Sequence, residues 1–255
     1  MSEIKVNSIK GVGASAAAIT VNNTDGTCTA NITNKPNRNL VINGAMQVAQ
    51  RGTSSTSNGY GSVDRFRVVY TSTDEAPTQS QADVASGTTP YTLGFRKSLK
   101  VTNGNQTGGA GSSDDIQINC RLEGQDIAGS GWNYTSSSSF ITLSFYVKSS
   151  VAQNFYGYVR SNSGTIRSHP FETGSLSADT WTKVTKTFSG DSNITINNDN
   201  TTGFNFFLNA FLGTDLTDNG VSLTAWNTYS SSSITPDNTS TWYTTNDATL
   251  EITGV

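Results

Sequence analysis

From Asn37 onward the chain repeats one pattern: a short run of β-branched and aromatic residues, then a polar stretch rich in Gly, Ser, Thr and Asn. The runs are FRVVY (66–70), SLKVT (98–102), IQINCRL (116–122), FITLSFYVK (140–148), NFYGYVRS (154–161), WTKVTKTF (181–188), SNITIN (192–197), GFNFFLNAFLG (203–213) and ATLEITGV (248–255). Such side chains suit a pleated, half-buried surface, and the residues between them suit turns. Polar loops are therefore predicted at 52–62, 103–115, 129–139, 173–179, 189–203 and 227–241. In FITLSFYVK, Ile141, Leu143, Phe145 and Val147 point one way and Thr142, Ser144, Tyr146 and Lys148 the other. GFNFFLNAFLG alternates less cleanly. Phe204, Phe206, Leu208, Ala210 and Leu212 form one face, while Phe207 and Phe211 interrupt the other. That predicts a strand buried on both sides or lying in an interface. No a/d repeat runs for three heptads, so no coiled coil is predicted. The pattern predicts an all-β sandwich, and its long polar loops suit a jelly roll better than a tight up-and-down barrel.

The first 36 residues read differently. Ile4, Val6, Ile9, the run Ala16–Val21 and the run Cys28–Ile32 are brief apolar bursts separated by turn residues, with a hairpin signal at Asp25-Gly26. Alone they bury too little apolar area to offset chain entropy. The segment is expected to order against a partner subunit or a larger assembly, with Ile4, Val6 and Ile9 as assembly contacts. A well-specified hairpin is then predicted in NRNLVINGAMQVAQRGT (37–53), around Asn43-Gly44. A tight turn there needs positive φ at both central residues, and it would set Val41 against Met46 and Ile42 against Ala45. We place the boundary at this point: an N-terminal attachment and oligomerisation segment, 1–36, and one jelly-roll domain, 37–255.

Composition narrows the function. The chain's 255 residues are enough for a real core, and charged residues make up only 14%, against about 25% in an ordinary soluble domain. Net charge is −3. The basic residues are scattered and form no stripe, which argues against nucleic acid as the main ligand. No apolar run approaches the roughly 20 residues that span a bilayer, so no membrane insertion is expected. The start, MSEIKVNSIK, lacks a signal peptide's apolar centre, so synthesis in a host cytoplasm is expected. In that reducing compartment Cys28 and Cys120 are expected as free thiols.

Little catalytic chemistry is legible. The one histidine, His169, has no G-x-S-x-G elbow beside it and reads as a loop residue. There is no C-x-x-C and no H-E-x-x-H, so no cofactor is expected. Asp114-Asp115 and the stretch 198–202 lack the EF-hand pattern, although jelly-roll loops leave room for a structural calcium ion. Glu123, Asp126, Glu172 and Asp179 show no spacing that selects a carboxylate pair for glycoside hydrolysis. The expectation is therefore that the chain is not an enzyme. Aromatic residues are more suggestive. Tyr146, Tyr156 and Tyr158 alternate out of phase with the expected core faces, and Trp132, Trp226 and Trp242 sit in or beside polar loops. These six are the candidate glycan contacts, since flat rings among Asn, Ser and Thr can cover a sugar's C–H face. The same residue types also suit cores and protein interfaces.

Several stretches, in order, resemble a known family. NRNLVINGAMQVAQRGTS with SVDRFRV (62–68) resembles the opening of a jelly-roll domain of bacteriophage tail-fibre and related virion proteins. FITLSFYVKSS followed by WTKVTKTFSG is similar to the middle strands of that domain and of carbohydrate-binding jelly rolls, and LEITGV to its last strand. IKVNSIKG and AAAITVNNTDG are similar to the leaders of marine, cyanophage-like fibre proteins. Ala49 stands where many relatives carry an aromatic, and relatives continue past the last strand in a short tail. The resemblance implies a virion structural protein, a tail-fibre subunit that attaches to host-surface glycan. The implied partners are other virion proteins, two further copies in a homotrimer, and the glycan. A capsid-decorating head fibre would share every one of these features, and a glycan-degrading enzyme is the more distant alternative.

Overall fold

The computed structural model describes residues 7–10, 12, 17–22, 24, 28–30 and 39–255. Contacts divide the chain into two units, Met1–Asn39 and Leu40–Val255. In the first, β1 (Ser8–Ile9), β2 (Ile19–Val21) and β3 (Cys28–Ala30) form an antiparallel sheet in the order β1-β2-β3, with Ser8 opposite Thr20 and Ile19 opposite Ala30. Ile9 is exposed in it, and Cys28 is an exposed free thiol. Ile4 and Val6 lie outside the described residues.

The second unit holds β4 (Ser54–Ser55), β5 (Phe66–Thr71), β6 (Thr78–Asp83), β7 (Lys97–Thr102), β8 (Asp115–Glu123) and β9 (Phe140–Ser149). These are followed by β10 (Asn154–Ser161), β11 (Arg167–Ser175), β12 (Thr182–Ser189), β13 (Thr202–Leu212), β14 (Asn227–Thr228) and β15 (Thr249–Thr253). They build two antiparallel sheets, β14-β11-β10-β13-β8-β5 and β12-β9-β15-β7-β6-β4, packed face to face as a jelly-roll sandwich. Strand alternation makes the core. On β8, Ile116, Ile118, Cys120 and Leu122 are buried in it, leaving Asp115, Gln117, Asn119 and Arg121 on the outer face. Across the sandwich, Phe145 of β9 meets Phe206 of β13 and Phe171 of β11, at ring-centroid distances of 5.4 and 6.3 Å. Each fully buried Phe contributes about 2–3 kcal/mol by area removed from water. Among the described residues no helix is long and apolar enough to cross a membrane.

β13 is buried along almost its whole length, as its sequence predicts. Its alternation, however, changes phase. The register shifts between Asn209 and Phe211, so Phe211 joins the core and stacks on Tyr243 at 4.4 Å. Leu212 turns to the outer face, with Tyr158, Phe207 and Ile234. The extra residue of a β-bulge reverses which side each later residue faces.

Two expectations are corrected. Residues 37–53 do not form a hairpin. Asn43 has φ 62° but Gly44 is not left-handed, so the two-residue turn that needs both is not made. Met46, itself at φ 58°, drops fully into the core instead. The Asn43 side chain holds this arrangement. Its Oδ1 accepts from Val48 N–H at 3.0 Å, and its Nδ2 donates to Val48 O and Asp64 O, both at 2.9 Å. Gly44 is required for another reason: Val255 N–H donates to Gly44 O at 3.1 Å, and a Cβ there would overlap the Val255 carbonyl. The end of the domain thus closes on its beginning. Secondly, His169 is not in a loop. It lies in β11, its ring edge-on to Phe188 and Trp226, and burial pushes its pKa down, which keeps it neutral in the core. Cys120 is free, as expected; it is buried in the core, and burial pushes its thiol up to about 12.

Asn43→Ala should lose the three hydrogen bonds and place a Cβ-bearing residue without a local hydrogen bond at positive φ, destabilising the domain by about 3 kcal/mol in urea unfolding. Asn43→Gly should lose only the hydrogen-bond part, and so be about 1–2 kcal/mol milder.

Candidate functional site

The outer face of the β14-β11-β10-β13-β8-β5 sheet carries a groove of about 290 Å³. Pairing register fixes what lies on it. One row crosses the strands as Arg67, Asn119, Phe207, Tyr158 and Pro170. The neighbouring row runs Arg121, Asn205, Arg160, Ser168 and Asn227. Five strands at about 4.8 Å spacing make each row about 19 Å long. The loop after β13 supplies one wall, through Leu216, Tyr229, Ser231 and Ile234.

The floor beneath is apolar and rigid. Tyr158 and Phe207 stack with centroids 4.2 Å apart and planes 7° apart, and Tyr229 leans on Tyr158 at 6.4 Å. The Arg160 guanidinium lies over both Tyr229 (4.7 Å) and Phe207 (5.2 Å), while its Nε donates to Asn162 Oδ1 at 3.1 Å. Such cation–π contacts hold a guanidinium in place without neutralising it. Burial pushes the Tyr158 phenol well above its ordinary pKa, so it stays a neutral hydroxyl, donating to Gln117 Oε1 at 3.4 Å.

Above this floor the polar groups lack partners. Asn119 is buried and lines the groove. Its Nδ2 donates to Phe206 O at 3.2 Å, but its Oδ1 has no hydrogen bond. Asp115 Oδ1, also in the groove lining, has none either, and burial pushes that carboxyl's pKa up. In the second row Asn205 Oδ1 is unpartnered as well. Arg67 and Arg121 make no hydrogen bond or ion pair with the described residues. Partial burial, then Arg121 beside it, pushes the Arg67 guanidinium's pKa down. Buried donors and acceptors are normally satisfied, so a face that concentrates the exceptions is set up to bond something else. Asn209, fully buried on the same strand as Asn205, has both amide atoms unpartnered.

Of the six aromatic residues expected to touch glycan, the groove takes one directly, Tyr158, and its ring face is already occupied by Phe207. Tyr156 lies on β10 opposite Glu172, half-buried, and is not among the groove-lining residues. Tyr146 belongs to the other sheet and is covered by Phe95 at 6.1 Å. The tryptophans are packing residues. Trp242 is wholly buried, Trp226 sits between His169 and Phe204 with its indole N–H on Ser189 O at 2.8 Å, and Trp132 packs edge-on to Phe204. Polar surroundings in sequence did not mean exposed rings, because the loops that carry these residues fold back over the sandwich. The groove residues that sequence reasoning missed are polar: Arg67, Gln117, Asn119, Arg121 and Arg160. Their signal was the outward half of IQINCRL and of its neighbours, which was read only for its apolar half. Among the described residues no three His, Cys, Asp or Glu side chains form a metal-binding group.

No family model matches the chain, and no curated protein does. Two solved structures are similar in part. One is the enzymatically active domain of tailspike protein 4 of bacteriophage CBA120, at 11% identity and TM-score 0.40, covering 67% of this chain and 19% of that one. The chain thus spans about a fifth of that structure's length. The other is the N-terminal cellulose-binding domain of β-1,4-glucanase C from Cellulomonas fimi, at 12% identity and TM-score 0.35, covering 80% of this chain and 93% of that one. The expectation that the chain is not an enzyme is corrected by the first of these, an enzymatically active domain. A likeness at this level assigns the chain no activity of its own.

Asn209→Leu, which replaces the two unpartnered polar atoms with methyl groups on the same branched skeleton, should raise stability by about 1–2 kcal/mol in urea unfolding. A loss of stability shared by the smaller Asn209→Val, which overpacks less, would show that the amide has partners when folded.

Proposed function

We propose that the chain is a phage virion structural protein, a tail-fibre subunit that holds host-surface glycan in the groove of its jelly roll. The observation that carries the reading is the concentration of unpartnered polar groups on strands β8 and β13, beside the aromatic wall at Tyr229. Sugar hydroxyls both donate and accept. Asn119 Oδ1 and Asp115 Oδ1 would accept from them, and Arg67 and Arg121 would donate. Tyr229 would cover a C–H face, as an amphipathic ring does at a wet interface. Because the polar groups stand on paired strands, little ordering is needed on binding. The N-terminal unit is proposed to attach the protein to the particle and to hold the homotrimer, through β1 to β3 and the residues around them.

Tyr229 is half-buried on a wall loop, so Tyr229→Ala should leave the fold intact. It should weaken binding of the host's surface polysaccharide about tenfold in isothermal titration. Unchanged affinity would remove the groove from the account. Separately, deleting residues 1–36 should convert a trimer to a monomer in sedimentation velocity, with groove binding per chain retained. A trimer that survives the deletion would place oligomerisation in the jelly roll.

A further inference from the structure

We infer that the groove selects an acidic polysaccharide, one whose sugar units carry carboxylates, with Arg67, Arg121 and Arg160 as the selecting residues. The inference rests on the glycan reading above and adds the ligand's charge.

The three arginines come from three strands and converge on one face. Arg121 and Arg160 flank Asn205 in a single row, which puts their strands two steps, or about 10 Å, apart. Arg67 faces Asn119, the outward neighbour of Arg121 along β8, so the two arginines are diagonal neighbours about 7–8 Å apart at the backbone. Like charges placed this way repel and weaken a sheet. They persist here on a chain whose net charge is −3.

The opposite sheet pairs one outward cation and spaces the others apart. On its outer face Lys148 Nζ meets Glu251 at 2.8 Å and Glu251 also accepts from Ser98 Oγ at 2.8 Å, while Lys100 and Lys183 make no ion pair with the described residues. Among the described residues no carboxylate pairs with Arg67 or Arg121; Glu123, the next outward residue after Arg121 on β8, accepts instead from Gln125 Nε2 at 2.8 Å. The groove's own acid, Asp115, is four residues along β8 from Asn119, or about 13 Å away. A guanidinium offers a planar fork of donors that fits a carboxylate in two parallel hydrogen bonds. Arg160 is pre-positioned over Tyr229 and Phe207, and Arg67 lies over the Tyr60 ring at 5.4 Å, so both are partly ordered before any ligand arrives. Beside Tyr60, over which Arg67 lies, Arg51 and Arg65 line a second hollow with Gln50 and Asp64; Arg51 is paired there with Asp64 at 3.6 Å, which leaves Arg65, among the described residues, as the hollow's unpaired cation. The adjacent unpartnered acceptors, Asn119 Oδ1 and Asp115 Oδ1, call for hydroxyl donors beside the carboxylate, and a sugar acid supplies both.

The test titrates the full chain with polygalacturonate, alginate and hyaluronate, with methyl-esterified polygalacturonate as the neutral polymer of the same backbone, and with single-stranded DNA as a phosphate polyanion. Arg67→Gln/Arg121→Gln, Tyr229→Ala and, as a control on the other sheet, Lys183→Gln are measured alongside, with circular dichroism to confirm folding. The inference expects binding to at least one uronate polymer. Affinity should be about tenfold or more weaker for the double arginine variant, unchanged for Lys183→Gln, and lower at high salt. The methyl ester and the DNA should bind much more weakly. Equal binding of ester and acid, insensitive to the arginine changes but lost in Tyr229→Ala, would overturn the charge selection and leave the glycan groove standing. DNA bound as tightly as a uronate would overturn it in favour of a general polyanion surface. Binding to no polysaccharide at all, acidic or neutral, would overturn both readings.

Discussion

The whole second unit depends on β13 being buried on two sides at once. One side faces the sandwich core, where Phe206 and Leu208 pack. The other supports a smaller apolar layer of Tyr158, Phe207, Leu212 and Ile234. A strand in an ordinary sandwich needs apolar residues at every second position only. Here the bulge at Asn209–Phe211 lets one strand feed both layers, sending Phe211 inward and Leu212 outward. The outer layer supplies the groove's aromatic floor, Tyr158 stacked on Phe207, and Leu216, Tyr229 and Ile234 beside it wall the groove. Remove the bulge and Leu212 would return to the core side, leaving the floor open at one end.

Around that floor the sheet tolerates arrangements that stability alone would not favour. Asn119, Asn205 and Asp115 leave polar atoms unbonded in places where water is largely excluded, and Arg67 and Arg121 stand close without a counter-charge. Each unsatisfied group costs about 1–3 kcal/mol. The rest of the domain offsets this through an extensive apolar core and through ties between distant parts of the chain. Val255 closes on Gly44, Trp242 is enclosed completely, and Asn103 Nδ2 donates to Tyr243 O at 2.6 Å. Unmet bonding is thus concentrated on β8 and β13 of one face, with Trp242 Nε1, Arg167 Nε and Asp64 Oδ1 the further cases among the described residues.

Much of the fold is legible in the sequence, because strand alternation is a local property. FITLSFYVK and IQINCRL show their inward residues directly, and the double burial of GFNFFLNAFLG can be read from its excess of Phe. What cannot be read is anything set by pairing over distance. Arg67, Arg121 and Arg160 look scattered along the chain, yet the strand order β5-β8-β13-β10 collects them. The same holds for Asn43-Gly44. Its dipeptide signals a hairpin, but its partners are Val48, Asp64 and Val255, two of them far off in sequence, and those contacts override the local preference. Trp226 and Trp242 mislead in the reverse direction. Their neighbours are polar, but the backbone around them returns to the core and carries the rings inside.

The central claim is that a glycan lies across the strands of the groove sheet, over Asn119 and between the arginines. The most direct measurement is nuclear magnetic resonance mapping of the labelled chain, following backbone amides, the Asn119 side-chain amide and the arginine Nε–Hε signals as an oligogalacturonate is added. The account predicts saturable shifts confined to Arg67, Arg121, Arg160, Asn119 and the loop around Tyr229. Shifts centred instead on the outer face of the opposite sheet, near Tyr146 and Trp181, with the groove signals unmoved, would contradict it.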